Sequence, residues 1–332
     1  MKDEFCNSCM NQNEYLAKFC SFCGSELQQV VQNIQKPIES KFIRTFRSRW
    51  SVAWIAIGVL ILVAIYELVS YLFGELGQFG DLLLGSIGGY GLMLIWILWI
   101  RRRNGLSLNV LFGKLSSVKM IGVHYLALMV IVGMGFSVSC TYMSIYLIIQ
   151  LFGEISLIEA LFGGGDLWPQ NFSSIQAYLH VVLVIILLVV IAPIFEEIVF
   201  RGVFMTRWVV KWGYKRGIIF SSLLFGILHP GIIGPTVMGI ILCCLYNRTK
   251  SLWVSVSFHV INNLIVVLLL LITGPGSMET DEFNSGSTML PILGLFIVTG
   301  SIISFILYKL RPFKSDIIPY EHNLPILNVN NE

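Results

Sequence analysis

The stretch 177-AYLHVVLVIILLVVIAPIFEEIVFRGVFMTRW-208 decides the fold, because no formally charged residue occurs from Ala177 to Phe195 and two adjacent glutamates then follow inside the same apolar run. Roughly 20 such residues make one helical crossing of a bilayer, whereas barrel strands would be about half as long and would alternate. Working outward, further apolar runs read as helices at 51–73, 82–100, 121–149, 217–230, 232–247, 251–273 and 289–308. Together with 177–208 they predict an all-α polytopic membrane protein of about eight transmembrane helices. The whole composition agrees. Of 332 residues, 56% are hydrophobic and 12% are charged, about half the charged share of a soluble domain. The net charge of +3 is too small for a nucleic-acid binder, so no nucleic-acid partner is expected.

The charges flanking the runs alternate in kind. Arg44, Arg47 and Arg49 precede the first run, and Arg101, Arg102 and Arg103 follow the second. Lys114 and Lys119 precede the third; Arg207, Lys211, Lys215 and Arg216 lie between the fourth and fifth; Lys309, Arg311 and Lys314 follow the eighth. All these connections share one side, which positive-inside bias makes the cytosol, with both termini there. The opposite connections carry Glu75, Asp81, Glu154, Glu159, Asp166, Glu279, Asp281 and Glu282. The long connection from Phe152 to Ser174 is amphipathic in places and is expected to lie along the outer surface.

Before any apolar run, residues 1–27 read as a polar cytosolic segment without a secretory signal. Cys6, Cys9, Cys20 and Cys23 form two CxxC pairs, the spacing with which a small ribbon offers four thiolates to one structural zinc. About 25 residues cannot fold on a core alone, and a reducing compartment disfavours disulfides. Cys140, Cys243 and Cys244 lack such spacing and read as small core residues. Residues 28–50 form a polar linker and basic juxtamembrane segment, 51–119 a transmembrane pair with a cytosolic loop, and 309–332 a tail.

Ionisable side chains at membrane depth are costly unless paired or solvated, so each points to function. Glu197 and Arg201 stand at i and i+4 and pair on one helical face, while Glu196, about 100° away, is left free to handle protons. Phe225 stands one turn before His229 and would hold its ring. His259 and Asn263 share a face, from which Asn262 turns aside. At about 1.5 Å per residue, Glu196 lies about 16 Å from Arg207, His229 about 20 Å from Arg216 and His259 about 14 Å from Lys250, so the clusters share one depth. Glu196 and a histidine could take a proton from water and His259 with Asn263 could stabilise an oxyanion, which would hydrolyse a peptide bond; alternatively Glu196, His229 and His259 are a ligand set that suits zinc. Both routes stay open. HExxH and GxSxG are absent. Gly163-Gly164-Gly165-Asp166 matches GxGD, but it sits in a polar connection without a second membrane aspartate.

The series EExxxR (Glu196, Glu197, Arg201), FxxxH (Phe225, His229) and HxxxN (His259, Asn263) resembles the CPBP family of intramembrane proteases, the type II CAAX prenyl endopeptidases and their bacterial bacteriocin-processing or immunity (Abi) relatives, over residues 120–308. The resemblance implies a hydrolase in which Glu196 and His229 activate water, His259 and Asn263 stabilise the oxyanion, and Glu197, Arg201 and Phe225 support them. Its members are called metalloendopeptidases, and a metal-free glutamate mechanism is also proposed for them. The expected setting is a bacterial plasma membrane, with a peptide or membrane-protein substrate and a ribbon that docks a protein partner. Prenylated substrates do not follow from it. Two other readings use the same polar cluster: a non-catalytic immunity or scaffold protein, and a proton-coupled transporter, although no inverted repeat is visible.

Overall fold

The computed structural model describes residues 4–5, 12–13, 23–25, 40–74, 77–115, 123–152, 174–229, 231–273, 289–311 and 317–328. The chain divides into two units, Met1–Glu39 and Ser40–Glu332. In the first, β1 (Glu4–Phe5) pairs antiparallel with β2 (Gln12–Asn13). Of the expected zinc ligands, Cys6, Cys9 and Cys20 lie outside the described residues, as do the Phe152–Ser174 connection up to Ser173 and the GxGD string. Cys23 is described, with its Sγ 3.0 Å from Ser25 Oγ.

All regular secondary structure among the described residues of the second unit is helical. It runs α1 (Lys41–Thr45), α2 (Ser48–Phe73), α3 (Gly77–Asn104), α4 (Leu108–Phe112), α5 (Val123–Phe152), α6 (Ile175–Trp212), α7 (Tyr214–Ile227), α8 (Ile233–Thr249), α9 (Leu252–Thr273), α10 (Met289–Leu310) and α11 (Pro319–Asn328). Among the described residues, each of the eight expected apolar runs falls largely on a helix. Five helices among the described residues are long and apolar enough to cross a membrane, within α3, α5, α6, α9 and α10; a further apolar helix, Ala56–Leu72, is shorter, as are α7 and α8. Leu60, Tyr71, Ile87 and Ile131 are exposed, an outward apolar surface suited to lipid rather than water. This is a polytopic membrane protein.

Sequence explains the helix ends. The Ser174 hydroxyl accepts from Ala177 N at 3.2 Å and caps α6, and Ser40 does the same for α1 through Ile43 N at 3.1 Å. Arg101, Arg102 and Arg103 fall in the last turn of α3, where the helix dipole favours cations.

The continuous helix α6 departs from the regular period that its sequence suggests. It is α-helical over Ile175–Ile185, π-helical over Ile186–Ile191, α-helical over Ala192–Glu196, π-helical over Glu197–Met205 and α-helical to Trp212. Pro193 supplies a cause for the first wide turn. Its ring would clash with the carbonyl four residues back and it has no N–H, so the preceding segment widens instead of breaking. The glutamates lie where the second π segment begins.

Around α6, helix α7 packs on α6 and α8, α9 packs on α5, α6 and α8, and α3 packs on α6. The short α4 presses Leu111 onto Gly202, where a methyl group would sit 2.9 Å from Leu111 Cδ1. Helix α4 is held in turn by α11: the Asn323 amide donates to Val110 O at 2.9 Å and to Lys250 O at 2.8 Å, and Ser107 N donates to Tyr320 Oη at 2.9 Å. Burial pushes the Tyr320 phenol up, so it keeps its proton. Arg207, one of the expected interface cations, donates to Ile43 O at 2.7 Å and ties α1 to the end of α6.

Candidate active site

Glu197 and Arg201 are fully buried, and Arg201 Nη1 donates to Glu197 Oε1 at 2.8 Å. Isolated ions at this depth would be strongly disfavoured, so the pair forms a unit. Phe225 lies under it, with the Arg201 guanidinium 4.4 Å from its ring centroid. The same ring lies 4.2 Å from the His229 ring and 5.7 Å from the His259 ring, the latter edge to face. One aromatic residue thus sets the spacing of a cation and two imidazoles.

The hydrogen bonds assign tautomers to both histidines. His229 Nδ1 lies 2.7 Å from the Phe225 carbonyl, which can only accept, so Nδ1 carries the proton. His229 sits two residues past the end of α7 rather than on it; the sequence reading had carried this helix to residue 230. His259 Nδ1 lies 3.0 Å from Glu197 Oε1, and an ionised carboxylate likewise only accepts. In their neutral forms both rings therefore turn a lone pair on Nε2 towards the pocket.

Those two Nε2 atoms flank one oxygen. Glu196 Oε2 is 3.6 Å from His229 Nε2 and 3.7 Å from His259 Nε2, and it has no direct hydrogen-bond partner among the described residues. Separations just beyond a direct bond are the distances over which a shared water works. The sequence reading had left Glu196 without the Arg201 ion pair and had set it with a histidine over a shared water. The structure gives it two imidazoles, one of which also serves Glu197. His229 is the most open of the three, its side chain 29% exposed against 15% for Glu196 and 5% for His259.

Asn263 is placed differently from a donor waiting for substrate. Its Nδ2 donates to Leu188 O at 2.8 Å, and Asn262 Nδ2 donates to Asn263 Oδ1 at 3.2 Å. The register of α6 explains the first bond. Ala192 N–H bonds Leu187 O, five residues back, so the next carbonyl, Leu188 O, would look to Pro193, which has no N–H. Asn263 supplies the missing donor and keeps one amide hydrogen for other use.

One oxygen and two nitrogens are donors of the kind that suit zinc. Yet among the described residues no three His, Cys, Asp or Glu side chains are gathered in an arrangement that could hold a metal ion, and the chemistry below is derived from the side chains alone.

Two features escaped the sequence reading. His259 bridges both glutamates, and α3 contributes Tyr90, whose ring packs on Phe195 with centroids 5.7 Å apart. Tyr90 belongs to no recognisable motif; its one signal is a tyrosine set among glycines, Gly88-Gly89-Tyr90-Gly91.

Residues 178–265 match the family described as Type II CAAX prenyl endopeptidase Rce1-like. Over 129 residues the chain is 33% identical to the "Putative membrane peptidase YdiL" of Bacillus subtilis (strain 168), covering 37% of this chain and 52% of that protein, so it spans about half the relative's length. No solved structure matches the chain. The matched segment contains Glu196, Glu197, Arg201, Phe225, His229, His259 and Asn263.

Proposed function

We propose that the protein is an intramembrane endopeptidase that hydrolyses a membrane-associated peptide or protein. The observation that carries this reading is Glu196 Oε2, buried in an apolar helix, with an imidazole Nε2 on each side at 3.6 and 3.7 Å. A water bridging Glu196 and His229 loses a proton to them, and its oxygen forms a bond to the peptide carbonyl carbon. The carbonyl π pair moves onto oxygen. His259, made a donor at Nε2 when it is the imidazolium beside Glu197, and the second amide hydrogen of Asn263 stabilise that oxyanion. Collapse breaks the C–N bond, and the proton first taken from water goes to the leaving amine. Glu197, Arg201 and Phe225 hold His259 and His229 in place. A metal route would need Glu196, His229 and His259 to draw into a ligand arrangement that they do not form in this structure, and the metal would then supply a bound water of lowered pKa.

In this reading both termini face the cytosol of a bacterial cell, and residues 1–27 hold one structural zinc through Cys6, Cys9, Cys20 and Cys23 and dock a protein partner. The family match and the peptidase relative support the class of activity. The test is cleavage of a fluorogenic peptide library by the full chain in proteoliposomes. Glu196→Gln and His229→Ala should each lose about 10²-fold or more. A scaffold or a proton-coupled transporter would cleave nothing, and wild-type rates in both variants would refute the proposal. Activity after exhaustive chelation separates the two ways of activating water.

A further inference from the structure

The mechanism above draws its oxyanion donors from the imidazolium form of His259 and from a single Asn263 hydrogen. Neutral His259 presents a lone pair at Nε2, and one hydrogen of the Asn263 amide is already used on Leu188 O. A tetrahedral oxyanion in a water-poor site needs preorganised donors, so another neutral N–H or O–H beside Glu196 would matter.

Helix α3 brings one. It packs against the Ala192–Glu196 segment of α6, and the Tyr90 ring rests on Phe195, the residue before Glu196. The Tyr90 phenol is close enough to feel the Glu196 charge, yet its hydroxyl makes no hydrogen bond among the described residues. It is half-buried. Near the carboxylate but not bonded to it is where a donor to a substrate carbonyl belongs, because the attacking water occupies the space between.

We propose that Tyr90 is a further catalytic residue, whose O–H donates to the carbonyl oxygen of the scissile peptide as that oxygen becomes negative. The inference rests on the endopeptidase reading. It assigns chemistry to a helix outside the segment 178–265, and it involves no proton transfer: the phenol keeps its hydrogen while the C–O bond forms and releases the oxygen when the C–N bond breaks. A neutral phenol suits the place, since a cation there would pair with Glu196 and quench it.

The test uses the full chain in proteoliposomes with a cleavable peptide and Tyr90→Phe, which keeps the ring against Phe195. Removing one oxyanion donor should lower kcat by about 10²-fold, with KM within about 2-fold and the unfolding midpoint unchanged. A phosphinate peptide, whose charged oxygen mimics the oxyanion, should bind Tyr90→Phe at least about 10-fold more weakly than wild type, while the product peptide binds equally. A merely packing role for Tyr90 would not separate those two affinities. If wild type cleaves and Glu196→Gln does not, a Tyr90→Phe enzyme within about 2-fold of wild type in kcat overturns this inference and leaves the endopeptidase reading standing. A wild type that cleaves nothing overturns both.

Discussion

Breaking the Glu197–Arg201 pair from one side should be far worse than removing it whole. Both side chains are fully buried and joined at 2.8 Å, so no solvent screening reduces their interaction. Arg201→Met leaves the Glu197 carboxylate with only the His259 Nδ1 donor at 3.0 Å, and an uncompensated buried charge of this kind costs about 3–5 kcal/mol. Glu197→Gln should cost less, because the stranded guanidinium keeps the face of Phe225, a contact that contributes about 0.5–2 kcal/mol. The double variant Glu197→Gln/Arg201→Met carries neither charge, and its Gln Oε1 still accepts from His259, so it should lie within about 1–2 kcal/mol of wild type. The double-mutant coupling is then at least about 2 kcal/mol, more than tenfold in the folded-to-unfolded ratio. Denaturant titration in mixed micelles measures it. A double variant as unstable as the two singles added together, or an Arg201→Met protein indistinguishable from wild type, would refute the reasoning.

The helix contact that carries His229 should be equally sensitive. A methyl group at Gly226 would overlap Thr236 Oγ1 and sit 2.7 Å from the backbone Ile232 O, which cannot rotate away, so Gly226→Ala should part α7 from α8 at a cost of about 1–3 kcal/mol. His229 N bonds Gly226 O at 3.1 Å and moves with it, so the same variant should lose about 10²-fold in cleavage. Gly294→Ala, where a methyl group meets nothing within 4 Å, is the silent control, and equal rates for the two variants would count against the argument. For the ribbon, Cys20→Ser should lower the bound zinc from about one per chain, as mass spectrometry of the purified protein would show, and unchanged metal content would remove the zinc assignment.

Helix existence was legible because lipid demands long uninterrupted apolar runs and this chain supplies them. The Glu197–Arg201 pair and the Phe225–His229 contact were legible because spacing along a single element fixes who is near whom. What sequence did not reveal depends on register or on a distant element. The run 177–208 was read as one helix, and nothing in that reading showed that α6 would widen before Pro193, nor that the carbonyl left over would be Leu188 O and its donor Asn263. His259 was read by the company it keeps on α9, whereas its placement comes from facing α6, where its two nitrogens meet different carboxylates. Tyr90 lies more than a hundred residues before Glu196 in the chain, with nothing but glycines around it to mark the place.

The adjacent glutamates are better understood as two different kinds of charge than as a repeated one. Arg201 stays protonated under any condition the protein meets, so the Glu197 carboxylate beside it is fixed as a permanent partner. Glu196 makes no such ion pair; its Oε2 lies between two imidazoles, 3.6 Å from His229 Nε2 and 3.7 Å from His259 Nε2. With both rings neutral, the buried cluster of Glu196, Glu197 and Arg201 carries one negative charge beyond its fixed positive one. In the proposed mechanism the proton taken from water is held between Glu196 and these imidazoles until it passes to the departing amine. Of the two carboxylates, then, Glu197 is committed to an ion pair and Glu196 is not, and the spacing that sets Arg201 four residues after Glu197 is what divides the roles.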